Sequence, residues 1–161
     1  MLLTILSDTH VSTAKRSRAR DLPARVWDSI KESDAVIHAG DVVEAFLLEE
    51  IAKIVPVHAV LGNNDLGLKL PDSLELEFED IKLAVLHDAG PRKGRPERLK
   101  RQFPQAQVVV YGHSHIPDLQ TFDDLLIMNP GSCTDRRREP KFSFGRLAVE
   151  GSTVRPYIVR F

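Results

Sequence analysis

The sequence contains a single cysteine, few aromatic residues and no long apolar run. Cys133 is the one cysteine among 161 residues, so no disulfide can form within the chain. No segment approaches the roughly 18 consecutive apolar residues that a membrane helix needs. The start, MLLTILSDTH, lacks a basic segment and turns polar after six residues, unlike a signal peptide. We therefore expect a cytoplasmic protein with no membrane partner.

A strong net charge is also absent, since 22 Lys and Arg stand against 23 Asp and Glu, a formal net charge of −1. The molecule as a whole is therefore not typical of proteins that bind polyanions. A hydrophobic content of 42% and a charged content of 28% are ordinary for a globular protein. There is no internal repeat, low-complexity segment or linker, which predicts one domain over residues 1–161.

Apolar runs and amphipathic segments alternate in the first half of the chain. They predict strands at 1–6, 35–39 and 55–61, and helices at 23–32 and 44–54. The second half is richer in strands, with hairpins predicted at 74–86, 119–128 and 142–160, a helix at 96–103 and a strand at 107–111. This order predicts an α/β protein with parallel pairing, its sheets in the middle and its helices outside.

Side chains that can bind a metal follow nearly every predicted strand. Because the carboxyl ends of strands in α/β sheets gather functional groups, we expect these side chains to share one rim. The seven candidates stand at five strand ends: Asp8, His10, Asp41, Asn63, His87, His113 and His115.

The chemistry of these seven side chains narrows the choice of metal. They offer oxygen and nitrogen donors and no thiolate, which suits Mn²⁺, Fe, Zn²⁺ or Ni²⁺ and argues against a soft-metal site. Seven ligands are too many for one such ion and suit two ions that share a carboxylate. Residues i and i+2 of an extended segment face one side, so we expect Asp8 with His10, and His113 with His115, to point together.

Glycines stand beside these candidate ligands. Gly40, Gly62 and Gly112 each flank a strand end, where a positive φ would let the backbone turn sharply. We therefore expect positive φ at these positions. Gly131, in the turn Asn129-Pro130-Gly131-Ser132, is expected close to the same rim.

The candidate ligands lie in five short motifs, which follow one another along the chain as Asp8-x-His10, Gly40-Asp41, Gly62-Asn63-x-Asp65, His87 and Gly112-His113-x-His115. These five motifs, in this order, resemble those of the calcineurin-like metallophosphoesterase superfamily. The short chain and the turn at 129–132 are similar to the small bacterial and archaeal YfcE-like phosphodiesterases in particular. This resemblance implies an α/β fold in the form of a four-layer αββα sandwich with two central mixed sheets.

The same resemblance implies a metal-dependent phosphodiesterase. Such an enzyme hydrolyses phosphate ester bonds by a hydroxide that bridges two divalent transition metal ions. We expect Mn²⁺ first, with Ni²⁺, Fe²⁺ or Zn²⁺ as alternatives. The family pattern divides the ligands between the two ions: Asp8, His10 and His115 for one, Asn63, His87 and His113 for the other, and Asp41 as the bridge.

Two positions depart from the wider superfamily. Many members carry Gly-Asn-His-Glu, whose histidine is thought to protonate the leaving group, but Asn64 stands in that place and a carboxamide cannot act as a general acid. We therefore expect weak action on esters with poor leaving groups unless water or another residue donates the proton. Asp88 replaces the usual glycine and either orients a ligand or caps a turn. The predicted catalytic residues are Asp41, Asn64, Asp65 and His87, with Asp65 expected to fix a loop rather than bind metal.

Three basic stretches, 15–25, 92–101 and 136–141, carry 15 of the 22 Lys and Arg residues. Each follows a ligand-bearing segment or the turn at 129–132, so we expect a positive rim that holds a phosphorylated substrate. Arg16, Arg92 and Arg137 are the predicted substrate-binding residues. The substrate class is a small phosphate ester or a nucleotide. Nucleic acid is a minor alternative, because these stretches contain no Trp or Tyr to stack bases.

Other functions and other roles for single residues stay open. A protein-interaction scaffold resembling the Vps29 subunit of retromer would keep the fold and lose some ligands, whereas all seven candidates are intact here. A nuclease or a cyclic nucleotide phosphodiesterase is a further alternative, and a homo-oligomer is possible. His38, His58 and Cys133 lie outside the motifs, and we expect them to be structural.

Overall fold

Thirteen regular elements are formed by the residues that the structure, a computed structural model, describes, namely 1–15, 17 and 19–161. In chain order they are β1 (Leu2–Leu6), α1 (Ala24–Lys31), β2 (Ala35–His38), α2 (Phe46–Ala52), β3 (Val57–Ala59), β4 (Ser73–Phe78), β5 (Ile81–Leu86), α3 (Arg95–Gln102), β6 (Val108–Val110), β7 (Asp118–Phe122), β8 (Leu125–Asn129), β9 (Ser143–Glu150) and β10 (Thr153–Arg160).

The strands form two mixed sheets of five strands each. The strand order is β10-β9-β1-β2-β3 in the first sheet and β4-β5-β6-β8-β7 in the second. Parallel pairs join β1 to β2 and β2 to β3 in the first sheet, and β5 to β6 and β6 to β8 in the second. The three predicted hairpins, β4–β5, β7–β8 and β9–β10, are antiparallel pairs, as expected.

Side chains that alternate along the strands build three apolar cores. Leu3 and Ile5 of β1 lie between the two sheets together with Val108 and Val110 of β6. Val109, which points the opposite way from its neighbours, packs with α3 on the outer face of the second sheet. The outer face of the first sheet packs on α1 and α2. The layers therefore run helix, sheet, sheet, helix, and the predicted four-layer αββα sandwich is confirmed.

Each helix presents an apolar stripe to its sheet. Val26 and Ile30 of α1 and Leu47 and Ile51 of α2 are spaced four residues apart and are buried in the same core. On the opposite side, Leu99 of α3 is 1% exposed. None of the helices in the described part of the chain is long and apolar enough to cross a membrane.

Two predicted elements, those at 44–54 and 55–61, are each four residues shorter than expected. The predicted helix at 44–54 begins at Phe46, and the Glu44 carboxylate accepts the Thr13 backbone N–H at 2.9 Å instead of lying within the helix. The predicted strand at 55–61 is only Val57–Ala59. It lies at the edge of the sheet, and Pro56 just before it has no N–H to donate to a ladder.

Backbone hydrogen bonds continue past the ends of the strands and hold the connecting loops side by side. The Ala39 N–H donates to the Leu6 carbonyl at 2.8 Å, and the Asp8 N–H donates to the Gly40 carbonyl at 2.9 Å. In the second sheet, the Gly112 N–H donates to the His87 carbonyl at 2.9 Å. The loops that leave β1, β2, β5 and β6 are therefore fixed at one edge of the sandwich.

Leu99→Ala is expected to destabilise the protein by about 2–5 kcal/mol, because it leaves a cavity where α3 meets the second sheet. The free energy of unfolding in urea checks this value. Leu66→Ala makes the same chemical change at a side chain that is 88% exposed, and should cost less than about 0.5 kcal/mol. Equal losses in the two variants would contradict the packing described for α3.

Candidate metal centre

The structure brings all seven predicted ligand side chains to one place at the edge of the sandwich. The buried members are Asp8, Asp41, His87 and His115, whereas Asn63 and His113 are exposed. The centre is therefore rooted in the protein interior and open to solvent on one side. The seven side chains are Asp8 and His10 after β1, Asp41 after β2, Asn63 after β3, His87 after β5, and His113 and His115 after β6.

The first group of ligands comprises Asp8, His10 and His115. His10 Nε2 and His115 Nε2 lie 3.2 Å apart, and His115 Nε2 lies 3.4 Å from Asp8 Oδ1. The two imidazole rings stack with centroids 5.1 Å apart. These atoms lie close enough together to bind one ion.

The second group comprises Asn63, His87 and His113. Asn63 Oδ1 lies 3.1 Å from His87 Nε2 and 3.0 Å from His113 Nδ1. The two ring nitrogens are 3.3 Å apart. One carboxamide oxygen and two imidazole nitrogens thus form a compact triangle of potential ligand atoms.

Asp41 lies between the two groups. Its Oδ2 is 3.5 Å from His10 Nε2 and 3.6 Å from His87 Nε2. The same carboxylate accepts the Asn64 backbone N–H at Oδ1, 2.8 Å away, and the Asn64 side-chain amide at Oδ2, 2.7 Å away. Asp41 Oδ2 thus lies at similar distances from a nitrogen of each group, which fits a bridging carboxylate, and Asp8 also comes close enough to share an ion with Asp41 and His87.

Hydrogen bonds to the backbone set which imidazole nitrogens are free to bind a cation. His87 Nδ1 lies 2.7 Å from the Ala39 carbonyl, and His115 Nδ1 lies 2.5 Å from the Asp135 carbonyl. A carbonyl only accepts, so both Nδ1 atoms carry a proton, and in the neutral form of each ring the Nε2 atom keeps a lone pair. In that form the lone pair of His87 faces Asn63 Oδ1 at 3.1 Å and that of His115 faces Asp8 Oδ1 at 3.4 Å, contacts between acceptors that a metal cation would relieve. The donor set therefore fits metal ions.

The protonation of the buried groups supports the same interpretation. Burial lowers the pKa values of His10 and His115, so both imidazoles are neutral and can act as ligands. Burial raises the pKa of Asp8 to about 7. Burial also acts to raise the pKa of Asp41, but the hydrogen bonds from Asn64 outweigh it and the pKa is lowered.

The backbone at the ligands is left-handed, so the extended arrangement expected for the i, i+2 pairs is wrong. The φ angles are 54° at Asp8, 45° at His10, 69° at His113 and 60° at His115. Asp41 has a φ of 59° as well. Each ligand pair therefore converges because the chain turns sharply at both of its residues. Such angles are uncommon for residues other than glycine and need strong support from their surroundings.

Positive φ was expected at three glycines and is found at one of them. Gly40 has a φ of 87°, whereas Gly62 and Gly112 lie outside the left-handed region. At these two positions glycine is needed for space. A Cβ on Gly62 would lie 2.2 Å from the Asp41 backbone nitrogen, and one on Gly112 would lie 1.9 Å from Ser7 Oγ. Close approach of two ligand loops, rather than a turn, explains these glycines.

Asp65 fixes two ligand loops at once, as expected for a loop-holding carboxylate. Its Oδ2 accepts the N–H groups of Asp41 at 2.9 Å and Gly62 at 2.7 Å, and its Oδ1 accepts the Val43 N–H at 2.6 Å. The side chain is 4% exposed. Asp65 therefore positions Asp41 and the segment that carries Asn63.

Several supporting side chains were not predicted individually from the sequence. Ser132 Oγ donates to the Asp8 carbonyl at 2.8 Å, and Asn129 Nδ2 donates to the Gly112 carbonyl at 2.8 Å. The turn at 129–132 had been expected near this rim, but nothing in the sequence assigned these bonds. His38 is fully buried and lies 3.0 Å from Thr9 Oγ1 through Nε2, in agreement with its expected structural role. Asp88 Oδ1 accepts the Gly90 N–H at 2.7 Å, which favours the turn-capping alternative.

The predicted substrate-binding arginines differ in position. Arg137 borders a cleft that also contains His10 and Asn64, and its Nε lies 3.8 Å from Asp135 Oδ2. Arg92 is exposed in the loop before α3, and no contact joins it to the seven ligands in the described part of the chain. Arg16 lies outside the described residues.

The basic stretches form the expected positive rim only in part. Arg25 lies over the Phe161 ring, with its guanidinium carbon 5.2 Å from the ring centroid. Arg95 donates to the Gly90 carbonyl at 2.8 Å, and Arg98 donates to the Ala89 carbonyl at 2.8 Å. Two arginines of the second stretch therefore hold the loop that follows His87 rather than facing a substrate.

A profile of the calcineurin-like phosphoesterase superfamily domain matches residues 1–152. The chain belongs to this superfamily. It is 38% identical over 153 residues to a probable metallophosphoesterase of Methanocaldococcus jannaschii, covering 93% of this chain and 77% of that protein. A phosphodiesterase of the same organism is 27% identical over 151 residues, covering 83% of this chain and 84% of that protein.

Solved structures show the same fold at low sequence identity. The crystal structure of Chaetomium thermophilum Vps29 aligns with a TM-score of 0.85 and 18% identity, covering 99% of this chain and 87% of the other. The four-layer sandwich of this chain is therefore shared with Vps29. Similarity at this level of identity concerns the fold alone.

Asp8→Asn is expected to stabilise the chelated, metal-free protein increasingly as pH rises. The folded-state pKa of Asp8 is about 7, above the ordinary value of 3.8, so its carboxylate destabilises the fold progressively between these values. The advantage of the variant over wild type should grow by about 1.4 kcal/mol or less per pH unit in this window and then level off.

Urea unfolding with a chelator present, at several pH values from 4 to 8, checks this expectation. Asp72→Asn makes the same change at an exposed carboxylate and should show no such trend. A difference between Asp8→Asn and wild type that stays constant with pH would contradict the burial effect.

Proposed function

We propose that the protein is a metal-dependent phosphodiesterase whose single domain, residues 1–161, binds two divalent metal ions. The observation that carries the proposal is the pair of ligand groups with one shared carboxylate. Asp41 Oδ2 lies at similar distances, 3.5 and 3.6 Å, from a nitrogen of each group. Membership of the calcineurin-like phosphoesterase superfamily and the likeness to an archaeal phosphodiesterase support the same activity.

The chemistry of the ligands supports transition metal ions bound through oxygen and nitrogen. Asp8, His10 and His115 would hold one ion, and Asn63, His87 and His113 the other. Cys133 is 2% exposed and burial raises the pKa of its thiol to about 12, so it stays protonated and is no thiolate ligand. Mn²⁺ is our first expectation for this ligand set, ahead of Ni²⁺, Fe²⁺ and Zn²⁺.

A bound metal pair lowers the pKa of water in its coordination sphere and stabilises charge on phosphoryl oxygens. The protein's own groups prepare the site for this chemistry. Two hydrogen bonds from Asn64 keep Asp41 ionised and fixed in orientation. Backbone carbonyls hold the rings of His87 and His115 with their Nε2 atoms turned inward. Arg137, at the edge of the cleft, offers a positive charge to an anionic substrate.

No described side chain at the centre is an evident proton donor to the leaving group. The Asn64 amide donates to Asp41 and has no acidic proton to give. Burial lowers the pKa values of His10 and His115, which argues against imidazolium at these positions. Substrates that leave as stable anions are therefore favoured, and water would have to serve for others.

The scaffold alternative is less well supported. Vps29 shares the fold, but the likeness at 18% identity carries no information about activity. All seven ligand positions are occupied by suitable side chains and converge in space, which a pure interaction scaffold does not require. A nuclease or a cyclic nucleotide phosphodiesterase would use the same centre and differ only in substrate. Cytoplasmic location and self-association stay predictions.

The purified protein should bind about two Mn²⁺ ions per chain and hydrolyse bis-p-nitrophenyl phosphate. His113→Ala and Asp41→Ala should each lower the rate by about 100-fold or more, since each removes a metal ligand and leaves the fold intact. Metal content by elemental analysis, p-nitrophenolate release and circular dichroism provide the measurements. His58→Ala is the matched histidine control, because His58 is not one of the seven predicted ligands and packs edge-on against Phe78 instead. Full activity in His113→Ala would refute the assignment.

Asn64→His should change which leaving groups are tolerated. A histidine there can donate a proton, so the rate on a poor alkyl leaving group should rise relative to the rate on p-nitrophenolate by about 100-fold. Losing the hydrogen bond to Asp41 should lower both rates, so their ratio is the informative quantity. Asn64→Ala loses the same bond without gaining an acid and is the control. An equal ratio in both variants would show that position 64 does not reach the leaving group.

A further inference from the structure

Two clefts with different charge border the metal centre. The first contains Arg137, whose Nε lies 3.8 Å from the Asp135 carboxylate in the same cleft, and borders His10 of the first ligand group. The second borders Asn63, His87 and His113 of the second ligand group. A phosphodiester carries two arms on one phosphorus, so a diester bound at the metals needs two such spaces. The two clefts can therefore select for the two arms separately.

The second cleft has acidic walls. Asp72 and Asp88 both line it and both are exposed to solvent. No Lys or Arg occurs among the described residues that line it. Negative potential at this wall repels an arm that carries a further phosphate or carboxylate, and attracts a positively charged one.

The polar groups of this cleft are available to a ligand. In the part of the chain that the structure describes, the side chains of Asp72, Ser73 and Gln102 make no hydrogen bond within the protein. Asp88 uses Oδ1 to accept the Gly90 N–H at 2.7 Å, which fixes the carboxylate and leaves Oδ2 free. Leu86, which is 6% exposed, adds an apolar surface beneath these groups. Free acceptors over an apolar floor suit an arm with hydroxyl or ammonium donors.

The walls of the second cleft are anchored to the ligand loops. The Leu61 N–H donates to the Pro71 carbonyl at 2.8 Å, which ties the segment before Asp72 to the segment that carries Asn63. Asp88 directly follows His87 in the sequence. The backbone that carries Asp72 and the carboxylate of Asp88 therefore hold a defined position relative to the second ligand group, as a specificity wall requires.

We infer that the cleft walled by Asp72 and Asp88 is a substrate subsite for a diester arm that carries hydrogen-bond donors and no negative charge. A hydroxylated alkyl arm or an aminoalkyl arm fits this description. The other cleft, where Arg137 offsets the charge of Asp135, is the less negative of the two and takes the arm that carries additional negative charge. This inference rests on the proposed phosphodiesterase function and narrows its substrate class to diesters with two unlike arms.

Binding of three methylphosphonate monoesters to the Mn²⁺-loaded protein tests the inference without requiring turnover. The three carry a 2-aminoethyl, a 2,3-dihydroxypropyl or a carboxymethyl arm, and calorimetry gives their dissociation constants. Asp72→Lys should weaken binding of the aminoethyl ester by about three- to tenfold, because it replaces attraction by repulsion at an exposed site. The carboxymethyl ester should be unaffected or bind more tightly.

Arg137→Glu should give the opposite result, weakening the carboxymethyl ester and leaving the aminoethyl ester nearly unchanged. Asp88→Asn keeps the acceptor for the Gly90 N–H and removes the charge, so it should reproduce part of the Asp72→Lys effect with the turn intact. Asp80→Lys is the matched control, since Asp80 lies in the turn at the far end of the β4–β5 hairpin from Ser73. It should change none of the three constants.

An unchanged dissociation constant of the aminoethyl ester in Asp72→Lys would overturn the inference, as would an equal loss of affinity for all three esters in that variant. Hydrolysis of bis-p-nitrophenyl phosphate by wild type and by Asp72→Lys, measured in parallel, keeps this result separate from the proposed function. If wild type hydrolyses the substrate but Asp72→Lys changes the affinity for all three esters equally, the subsite is refuted and the proposed phosphodiesterase activity is not. Arm-selective binding without hydrolysis would instead remove the phosphodiesterase activity and keep the subsite.

Discussion

The metal centre depends on one buried carboxylate that binds no metal in our assignment. Asp65 accepts three backbone N–H groups, two from the loop after β2 and one from the loop after β3. These loops carry Asp41 and Asn63, the bridging candidate and a predicted ligand of the second group. A charged acceptor with three donors is worth more than a neutral pair, and its removal would leave buried donors without partners. The spacing between the two ligand groups therefore follows from this carboxylate.

An excess of acceptors at the centre is the second constraint on the fold. Carboxylate oxygens, a carboxamide oxygen and the Nε2 lone pairs of neutral His87 and His115 face one another at 3.1–3.6 Å. Burial makes this arrangement costly in the free protein, as the raised pKa of Asp8 indicates. The closely packed sheets compensate by locking the loops through backbone hydrogen bonds. Cations would convert the repulsion into attraction, so metal binding and folding stability are coupled here.

The four-layer fold and the gathering of the seven predicted ligand side chains at one edge were predictable from the sequence, whereas the local geometry was not. Alternating apolar runs mark strands, and ligands at strand ends predict a shared rim. The left-handed backbone at Asp8 and His113 left no such signal, because neither residue type requires it. The hydrogen bonds from arginines to backbone carbonyls could not be predicted from the sequence either. The sequence predicts Arg95 and Arg98 to be surface charges, whereas in the structure both donate hydrogen bonds to backbone carbonyls of the loop after His87 and stabilise it.

Five of the predicted ligands have left-handed backbone, so this centre differs from a metal site whose ligands lie on a regular strand. The sheet determines the direction of a side chain on a strand, whereas close contact between loops determines the directions of Asp41 and His115. Gly62 and Gly112 make that contact possible, since a Cβ at either would collide with a neighbouring loop. The sheets therefore determine where the ligands gather, and the glycines and Asp65 determine how they point. Loop residues outside these contacts, such as Asp72, are free to vary and to set substrate choice without disturbing the metals.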